Sequence, residues 1–497
     1  MDRRRFLLAS STAAVLGAGG TRLAHAAAQA AAPMYPAAAR PVPTPQQLRW
    51  QREELAMFVH FGMNTFTGRE WGTGHESPKL FDPRHLDTMQ WARTAKATGF
   101  RSMILTAKHH DGFCLWPTAT TKHSVKYSPW KHGKGDVVRE FVDACHAEGL
   151  GVGFYLSPWD RNAKSYGSGK AYNDLYIAQL TELLTHYGPV VEVWFDGANG
   201  EGPSGPHQVY DWARIHATVR RLQPNAVMFS DAGPDVRWIG DEKGVAGFTC
   251  WSTVDPASVP YAGFDRPWVG DLLGHGNPDG SVWRPGESDV SIRPGWFWHA
   301  DQNDQVRSPD GLIELYFQSV GRNSKLLLNV PPDRDGLFYP TDVASLHGFA
   351  AKRAQLFATD LLQGATARAS SSAAPHRPAR VLDADLDSYW SAAPGARDGW
   401  LELDLPHEID FDTLELAEPI ALGQGIANYR IEYSNGGAWQ PFAWGTTIGN
   451  KKLTRRDPVR ASKLRLLVAY AYDTPRLARM AAYLGPKHRY GPGHNEK

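Results

Sequence analysis

Between Arg49 and about Asp335, short apolar runs alternate with helical patterns, and this alternation restricts the chain to a parallel α/β architecture. The runs fall at 56–60, 100–106, 150–157, 190–196, 226–230, 247–251, 295–299 and 325–330. Helical patterns intervene at 81–99, 136–149, 172–187, 210–222 and 310–320; in the first, Leu86, Met89, Trp91 and Ala95 share one side. Eight strands over that length predict a closed (β/α)8-like, TIM-type barrel spanning 46–345. Only 255–290 resists the pattern. It is rich in Gly, Pro and Trp, shows no helical period, and is expected to be a long functional loop.

Past Pro340 the period changes. Residues 341–362 read as helical, with 346–364 expected to connect two domains. From Ala365 short strand patterns take over at 400–405, 411–417, 429–433, 439–443 and 464–469, separated by turn residues. This predicts an all-β jelly-roll or sandwich domain over 365–486 and a loose polar tail at 487–497.

The N-terminus reads as an address. Arg3, Arg4 and Arg5 precede Phe6, Leu7 and Leu8, an apolar stretch runs to about Gly20, and Ala24-His25-Ala26 has the form of a cleavage site. A twin-arginine-type export signal over 1–26 is expected, with an Ala/Pro-rich linker at 27–45 and a periplasmic or secreted protein as the result. The apolar segment is too short and too rich in Ala, Ser and Gly for a membrane anchor. Cys114, Cys145 and Cys250 supply neither a disulfide framework nor metal-ligand spacing. A net charge of +1 with no basic face argues against a nucleic-acid partner. The 18 Trp residues serve a large aromatic core or stack on sugar rings, and composition alone favours the core.

In a barrel of this kind the C-terminal strand ends converge on one face, where catalytic groups sit. His60 closes the first run; His109, His110 and Asp111 follow the second; Tyr155 lies in the third; Trp194 and Asp196 end the fourth. A metal site is the minority reading, because adjacent His109 and His110 point to opposite sides of an extended chain. Several donors spread around a pocket suit a polyhydroxylated ligand better. Asp196, at the end of a buried strand and followed by Gly197, is the nucleophile expected of a glycosidase. A retaining enzyme needs a second carboxyl about 5 to 5.5 Å away. Asp231, Asp235, Asp241, Glu242 and Glu287 all qualify by position, and position does not choose among them.

Taken in order, His60-Phe-Gly62, Glu70-Trp71, His109-His-Asp-Gly-Phe113, Tyr155-Leu-Ser157, Trp194-Phe-Asp-Gly197 and Leu327-Leu-Asn-Val-Pro331 resemble the retaining α-L-fucosidases of glycoside hydrolase family twenty-nine. The stretches 234–244 and 287–297 resemble the subgroup that prefers α-1,3/1,4-linked fucose on branched oligosaccharides. The resemblance implies Asp196 as nucleophile and Glu242 as general acid/base. It implies a fucose-contacting set of His60, His109, His110, Tyr155 and Trp194, with Glu70 and Trp71 as a second part of the pocket. Trp296 or Phe297 would wall the fucose methyl group, and Arg237 would reach the ring hydroxyls. Phe154 stands where the family usually has Trp, a mild departure. Residues 381–391 are similar to discoidin-like, coagulation factor type C modules; Asp383, Asp385 and Asp387 there are expected either to hold a structural Ca²⁺ or to form a turn. No cofactor is otherwise expected. The expected partner is a fucosylated oligosaccharide, with the oligomeric state left open. Two other readings stand beside this one: a non-catalytic sugar-binding barrel, and a retaining glycosidase or transfucosidase of other specificity.

Overall fold

The computed structural model describes residues 40–485. The expected export signal, the linker up to residue 39 and the tail from 487 lie outside the described residues. Eight parallel strands close into a barrel: β1 (Leu55–Val59), β2 (Ser102–Lys108), β3 (Gly151–Leu156), β4 (Glu192–Trp194), β5 (Val227–Ser230), β6 (Val236–Trp238), β7 (Gly286–Ser291) and β8 (Ser324–Asn329). Each pairs with its sequence neighbours, and β8 returns to β1 with Leu326 opposite Leu55. Inward-facing Ala56, Phe58, Ile104, Tyr155, Trp194, Val227, Phe229, Val236 and Leu327 form one cluster. The outward faces of the strands pack against the helices in a larger core.

Helix α1 (Pro45–Arg52) precedes the barrel. Thr44 and Gln47 cap it reciprocally, with Pro45 at its first position. Its Trp50 enters the inward cluster and donates from Nε1 to Glu192 Oε2 at 2.8 Å. Asp87, Asp136 and Asp211 cap the surrounding helices α2 (Thr88–Ala97), α3 (Val137–Ala147) and α5 (Trp212–Leu222); α4 (Lys170–His186) lies between the last two. Further on come α6 (Val269–His275), α7 (Pro309–Gln318) and α8 (Pro340–Leu356). The last is one continuous helix that runs through the expected boundary at 345/346.

Six strands stand where the apolar runs place them. The sixth and seventh do not. Residues 247–251 and 295–299 are loops, and β6 and β7 lie at 236–238 and 286–291. The cause is polarity inside the barrel. β6 has three residues with Arg in the middle, and β7 is Gly-Glu-Ser-Asp-Val-Ser. Neither is an apolar run, so the apolar Phe248–Trp251 and Trp296–Trp298 segments attract the assignment instead. No helix separates β5 from β6. The long excursion between β6 and β7 carries α6 and a small ribbon, Thr253–Val254 against Val282–Trp283, so the stretch 255–290 contains a helix after all.

The C-terminal domain is antiparallel. β9 (Thr366–Ala369), β10 (Gly399–Ala417), β11 (Ile426–Ser434), β12 (Gln440–Gly445), β13 (Lys452–Ala471) and β14 (Arg479–Tyr483) form one sheet in the order β9-β10-β13-β11-β12, with β14 beside β10. Register shifts within the β10–β13 pair allow the long strands to bend, so Leu401 and Leu403 before the shifts enter the same core as Leu414 and Leu416 after them. The Asp-rich loop is used internally. Asp387 pairs with Arg52 at 2.5 Å, Asp383 accepts from Ser388 Oγ at 2.6 Å, and Asp385 accepts from the Asp387 N–H at 2.9 Å. Among the described residues no group of three or more His, Cys, Asp or Glu side chains is arranged to hold a metal. Nor is any described helix long and apolar enough to cross a membrane.

Candidate active site

Asp196 lies two residues beyond β4, and its main chain is held by a bond from the buried Phe195 N–H to Phe229 O. Both carboxylate oxygens are fixed. The Ala198 N–H donates to Oδ1 at 2.8 Å and the Tyr155 hydroxyl to Oδ2 at 2.9 Å. His110 Nε2 stands 3.8 Å from Oδ2. Tyr155 is fully buried, and burial beside Asp196 keeps its phenol protonated and donating.

The three histidines meet in one pocket with Asp196, Glu242, Glu70, Trp71, Tyr155, Trp194 and Trp296. Burial lowers the pKa of each, that of His60 to about 3, so all three are neutral at ordinary pH. Their partners fix the tautomers. Asn329 donates its amide protons to Ser291 Oγ and Trp296 O, so its Oδ1 accepts from His60 Nδ1–H at 2.8 Å, and His60 Nε2 is left as an acceptor. The Ser157 hydroxyl donates to Trp159 O, so Ser157 Oγ accepts from His110 Nδ1–H at 2.7 Å, and Nε2 is again an acceptor. His109 is the reverse: Asn64 Nδ2–H donates to its Nδ1 at 3.3 Å, leaving Nε2–H as a donor. One donor and two acceptors side by side match sugar hydroxyls, which both give and take hydrogen bonds.

Glu242 lies in the loop after β6 and reaches the same pocket. Trp296 Nε1–H donates to its Oε2 at 3.4 Å. Glu242 is exposed at the pocket mouth, yet the protein around its carboxyl raises its pKa, and the charges of Asp196 and Glu70 add to the rise; the Trp296 bond opposes it. The pocket therefore holds two carboxyls in unlike settings. Glu70 accepts from the backbone N–H groups of Trp296 and Phe297 at 3.1 and 3.4 Å, so it also positions Trp296. Trp71 is 61% exposed on the rim and sits edge-on to Trp159.

Two expected contacts are corrected. Arg237 is fully buried and faces away from the pocket, donating to the carbonyls of Leu273 and Arg284. It is the outward residue of β6, and its inward neighbour Trp238 lines the adjoining cavity instead. Phe297 is also fully buried, packing edge-on behind His60 and His109, whereas Trp296 lines the pocket. Of the other carboxyls considered as partners for Asp196, Glu287 is sealed in the barrel core, where it accepts from Trp194 Nε1 at 2.9 Å, and Asp235 is paired with Arg220 at 2.7 Å. Asp241 accepts from the Lys243 N–H at 2.8 Å.

Three site residues were absent from the expected pocket set. Trp238 donates from Nε1 to Asp289 Oδ1 at 2.6 Å, and Asp289 lines the pocket. Burial and the charges of Glu242 and Asp196 push the Asp289 pKa up. Asp231, weighed only as a partner carboxyl, has its pKa pushed up to about 6 by burial. It lines a second cavity of about 450 Å³ that opens beyond Asp196 and Glu242, walled by Trp238, Phe264, Asp265, Arg266 and Leu273. Only the alternation of Glu287 and Asp289 with Ser288 and Val290 hinted that β7 was a strand with acids on one face.

Residues 22–351 match the family model described as alpha-L-fucosidase, and residues 366–480 match the F5/8 type C domain. Alpha-L-fucosidase 1 of Arabidopsis thaliana is 43% identical over 458 residues, covering 90% of this chain and 89% of its own length. Among solved structures, SpGH29 superposes with a TM-score of 0.85 at 41% identity, over 90% of this chain and 99% of that one. A Ruminococcus gnavus GH29 fucosidase in complex with fucose does so with 0.81 at 32% identity, over 91% and 97%. A closed parallel barrel with this pocket at its strand ends, matched over nine-tenths of the chain, makes the protein a member of the glycoside hydrolase family twenty-nine α-L-fucosidases.

Proposed function

We propose that the protein is a retaining exo-α-L-fucosidase acting on terminal α-1,3/1,4-linked L-fucose of branched oligosaccharides, with Asp196 as nucleophile and Glu242 as general acid/base. The observation that carries this reading is the contrast between the two pocket carboxyls. Asp196 accepts a hydrogen bond at each carboxylate oxygen, which fixes it for attack, and Glu242 sits where the protonated form is favoured. Asp196 attacks the anomeric carbon as the bond to the departing oxygen breaks, and Glu242 gives that oxygen its proton. A β-linked fucosyl ester forms on Asp196. Glu242, now ionised, takes a proton from water, whose oxygen attacks the same carbon and frees Asp196, so fucose leaves in its original configuration.

The neighbouring cavity supports the branched-glycan reading. About 450 Å³ lies directly beyond the two carboxyls, with Trp238 and Phe264 as apolar faces and Asp231, Asp265 and Arg266 as polar ones. That is room and chemistry for a leaving saccharide larger than a single small group.

The test uses a Lewis-type trisaccharide with D196A and E242A. Each is expected to lose at least about 10³-fold in kcat/KM. With an activated aryl fucoside and sodium azide, D196A should form the fucosyl azide of inverted configuration and E242A that of retained configuration. Full trisaccharide activity in either variant overturns the roles. Faster release from the aryl fucoside than from the trisaccharide by the wild-type enzyme overturns the linkage reading alone.

A further inference from the structure

Beneath the pocket lies a charged cluster that the chemistry does not use. Glu192 on β4, Glu287 on β7 and Lys325 on β8 all face into the barrel and are sealed from solvent. Lys325 Nζ bonds to Glu53 Oε2 at 2.8 Å, lies 3.9 Å from Glu192 Oε2, reaches Ser102 Oγ at 3.4 Å and stands over the Trp50 ring. Three carboxyls thus face one cation.

The oxygens can be accounted for singly. Glu192 Oε2 accepts from Trp50 Nε1 and Glu287 Oε1 from Trp194 Nε1. Glu192 Oε1 and Glu287 Oε2 are buried with no donor among the surrounding groups. Each carboxyl feels the other as a hydrogen-bonding neighbour, and these two oxygens are the ones left free to meet. Two ionised carboxylates cannot hydrogen-bond, because both only accept, and their like charges repel strongly away from water.

We infer that Glu192 and Glu287 share one proton in the barrel core, and that this acid–carboxylate pair, braced by Lys325, is the positioning element for Trp194. In this arrangement Glu287 donates from Oε2 to Glu192 Oε1, and its Oε1 stays free to accept from Trp194. Glu192 keeps the negative charge next to Lys325. The indole of Trp194 is then gripped at its nitrogen, stacked on Phe229 at 4.1 Å and packed 5.4 Å from Tyr155, which holds Asp196. Glu287 does not touch substrate; it acts through Trp194. Burial and the Glu192 charge both drive the Glu287 pKa upward, while Lys325 and Trp194 oppose them.

Infrared difference spectra of the full chain carrying ¹³C-labelled glutamate carboxyls test the shared proton. At about pH 8 the wild type should show an un-ionised glutamic acid band that vanishes in E287Q. It should vanish in E192Q as well, because an amide at 192 donates to Glu287 and removes the neighbouring negative charge, so Glu287 ionises and faces Lys325. A band surviving in E192Q, or absent from the wild type, overturns the shared proton.

Stability supplies a second reading. A proton held only when folded makes stability fall as pH rises from the ordinary carboxylate range towards the folded-state pKa. The melting temperature should therefore drop more between about pH 6 and about pH 9 in the wild type than in E287Q; parallel curves overturn it. The positioning role rests on Asp196 being the nucleophile, whereas the spectroscopic arm does not. E287Q keeps an acceptor for Trp194 and a donor for Glu192, so its kcat/KM should stay within about threefold of wild type, while E287L should lose about tenfold or more. Equal losses in both, with the infrared result as expected, would leave the shared proton standing and overturn the positioning role.

Discussion

Glu242 answers to two neighbours that pull its proton affinity in opposite directions. Trp296 Nε1–H stabilises the carboxylate, and the charge of Glu70 destabilises it. In its proposed role as general acid Glu242 must be protonated to act, so activity should be lost as pH rises through its pKa. Removing the indole donor in W296F should move the basic limb of the kcat/KM profile to higher pH. Removing the charge in E70Q should move it to lower pH. A pH–rate series on the aryl fucoside and the trisaccharide reads both shifts, and limbs that move together in one direction would show that another group governs them. Burial lowers the pKa of each of the three histidines, so none is the group that loses a proton on that basic limb.

At the scale of elements, Gly197 and Gly263 bring the segment after Asp196 against the 255–268 loop. A Cβ on Gly263 would stand 2.4 Å from Gly197 O, at a φ of +80° that side chains rarely adopt. Asp231 Oδ2 accepts the Gly263 N–H at 2.8 Å and so ties the loop down. G263A should displace the main chain next to Asp196, cost roughly 10–10²-fold in kcat/KM and lower the melting temperature through the strained φ; near-normal kinetics would mean that the loop yields freely. This contact was invisible in the sequence, because it joins two loops 66 positions apart whose only local signal is glycine. The same limit explains what else was legible. Strands whose inward residues are apolar or aromatic, such as β1 and β2, stood out as runs, and their ends carried His60, His109 and His110 to the site. β6 and β7 hide because their inward faces hold Trp238, Glu287 and Asp289 between Arg and Ser residues. Arg237 was expected at the ligand from the family resemblance, which does not tell that it stands on a three-residue strand with its side chain turned outward.

The whole molecule is held together at Asn323, which follows α7. Its amide oxygen accepts from Gln51 on α1 and from the Asn450 N–H of the C-terminal domain at 3.0 and 2.7 Å. Its amide nitrogen donates to Cys250 O at 2.9 Å and Ser252 Oγ at 3.1 Å. The residue also adopts a left-handed backbone with φ of +65°. N323A should cost about 3 kcal/mol, since several buried groups lose a partner at once. N323G loses the same bonds without the steric penalty of a Cβ, so it should be about 1 kcal/mol better than N323A. Chemical denaturation of both variants checks the order, and N323A as stable as wild type would remove Asn323 from the junction.

The C-terminal domain grips the β6–β7 excursion at one end, through Thr447 Oγ1 to the Cys250 N–H at 3.0 Å and Gln424 Oε1 to the Ser252 N–H at 2.8 Å. The other end of that excursion supplies Gly263, Phe264 and Leu273 to the cavity beyond the two carboxyls. The module is therefore not a cassette that evolution or an engineer can swap without consequence. Exchanging it should disturb the walls of that cavity even if the newcomer never met a sugar, because the loop that lines the cavity is anchored at the seam between domains.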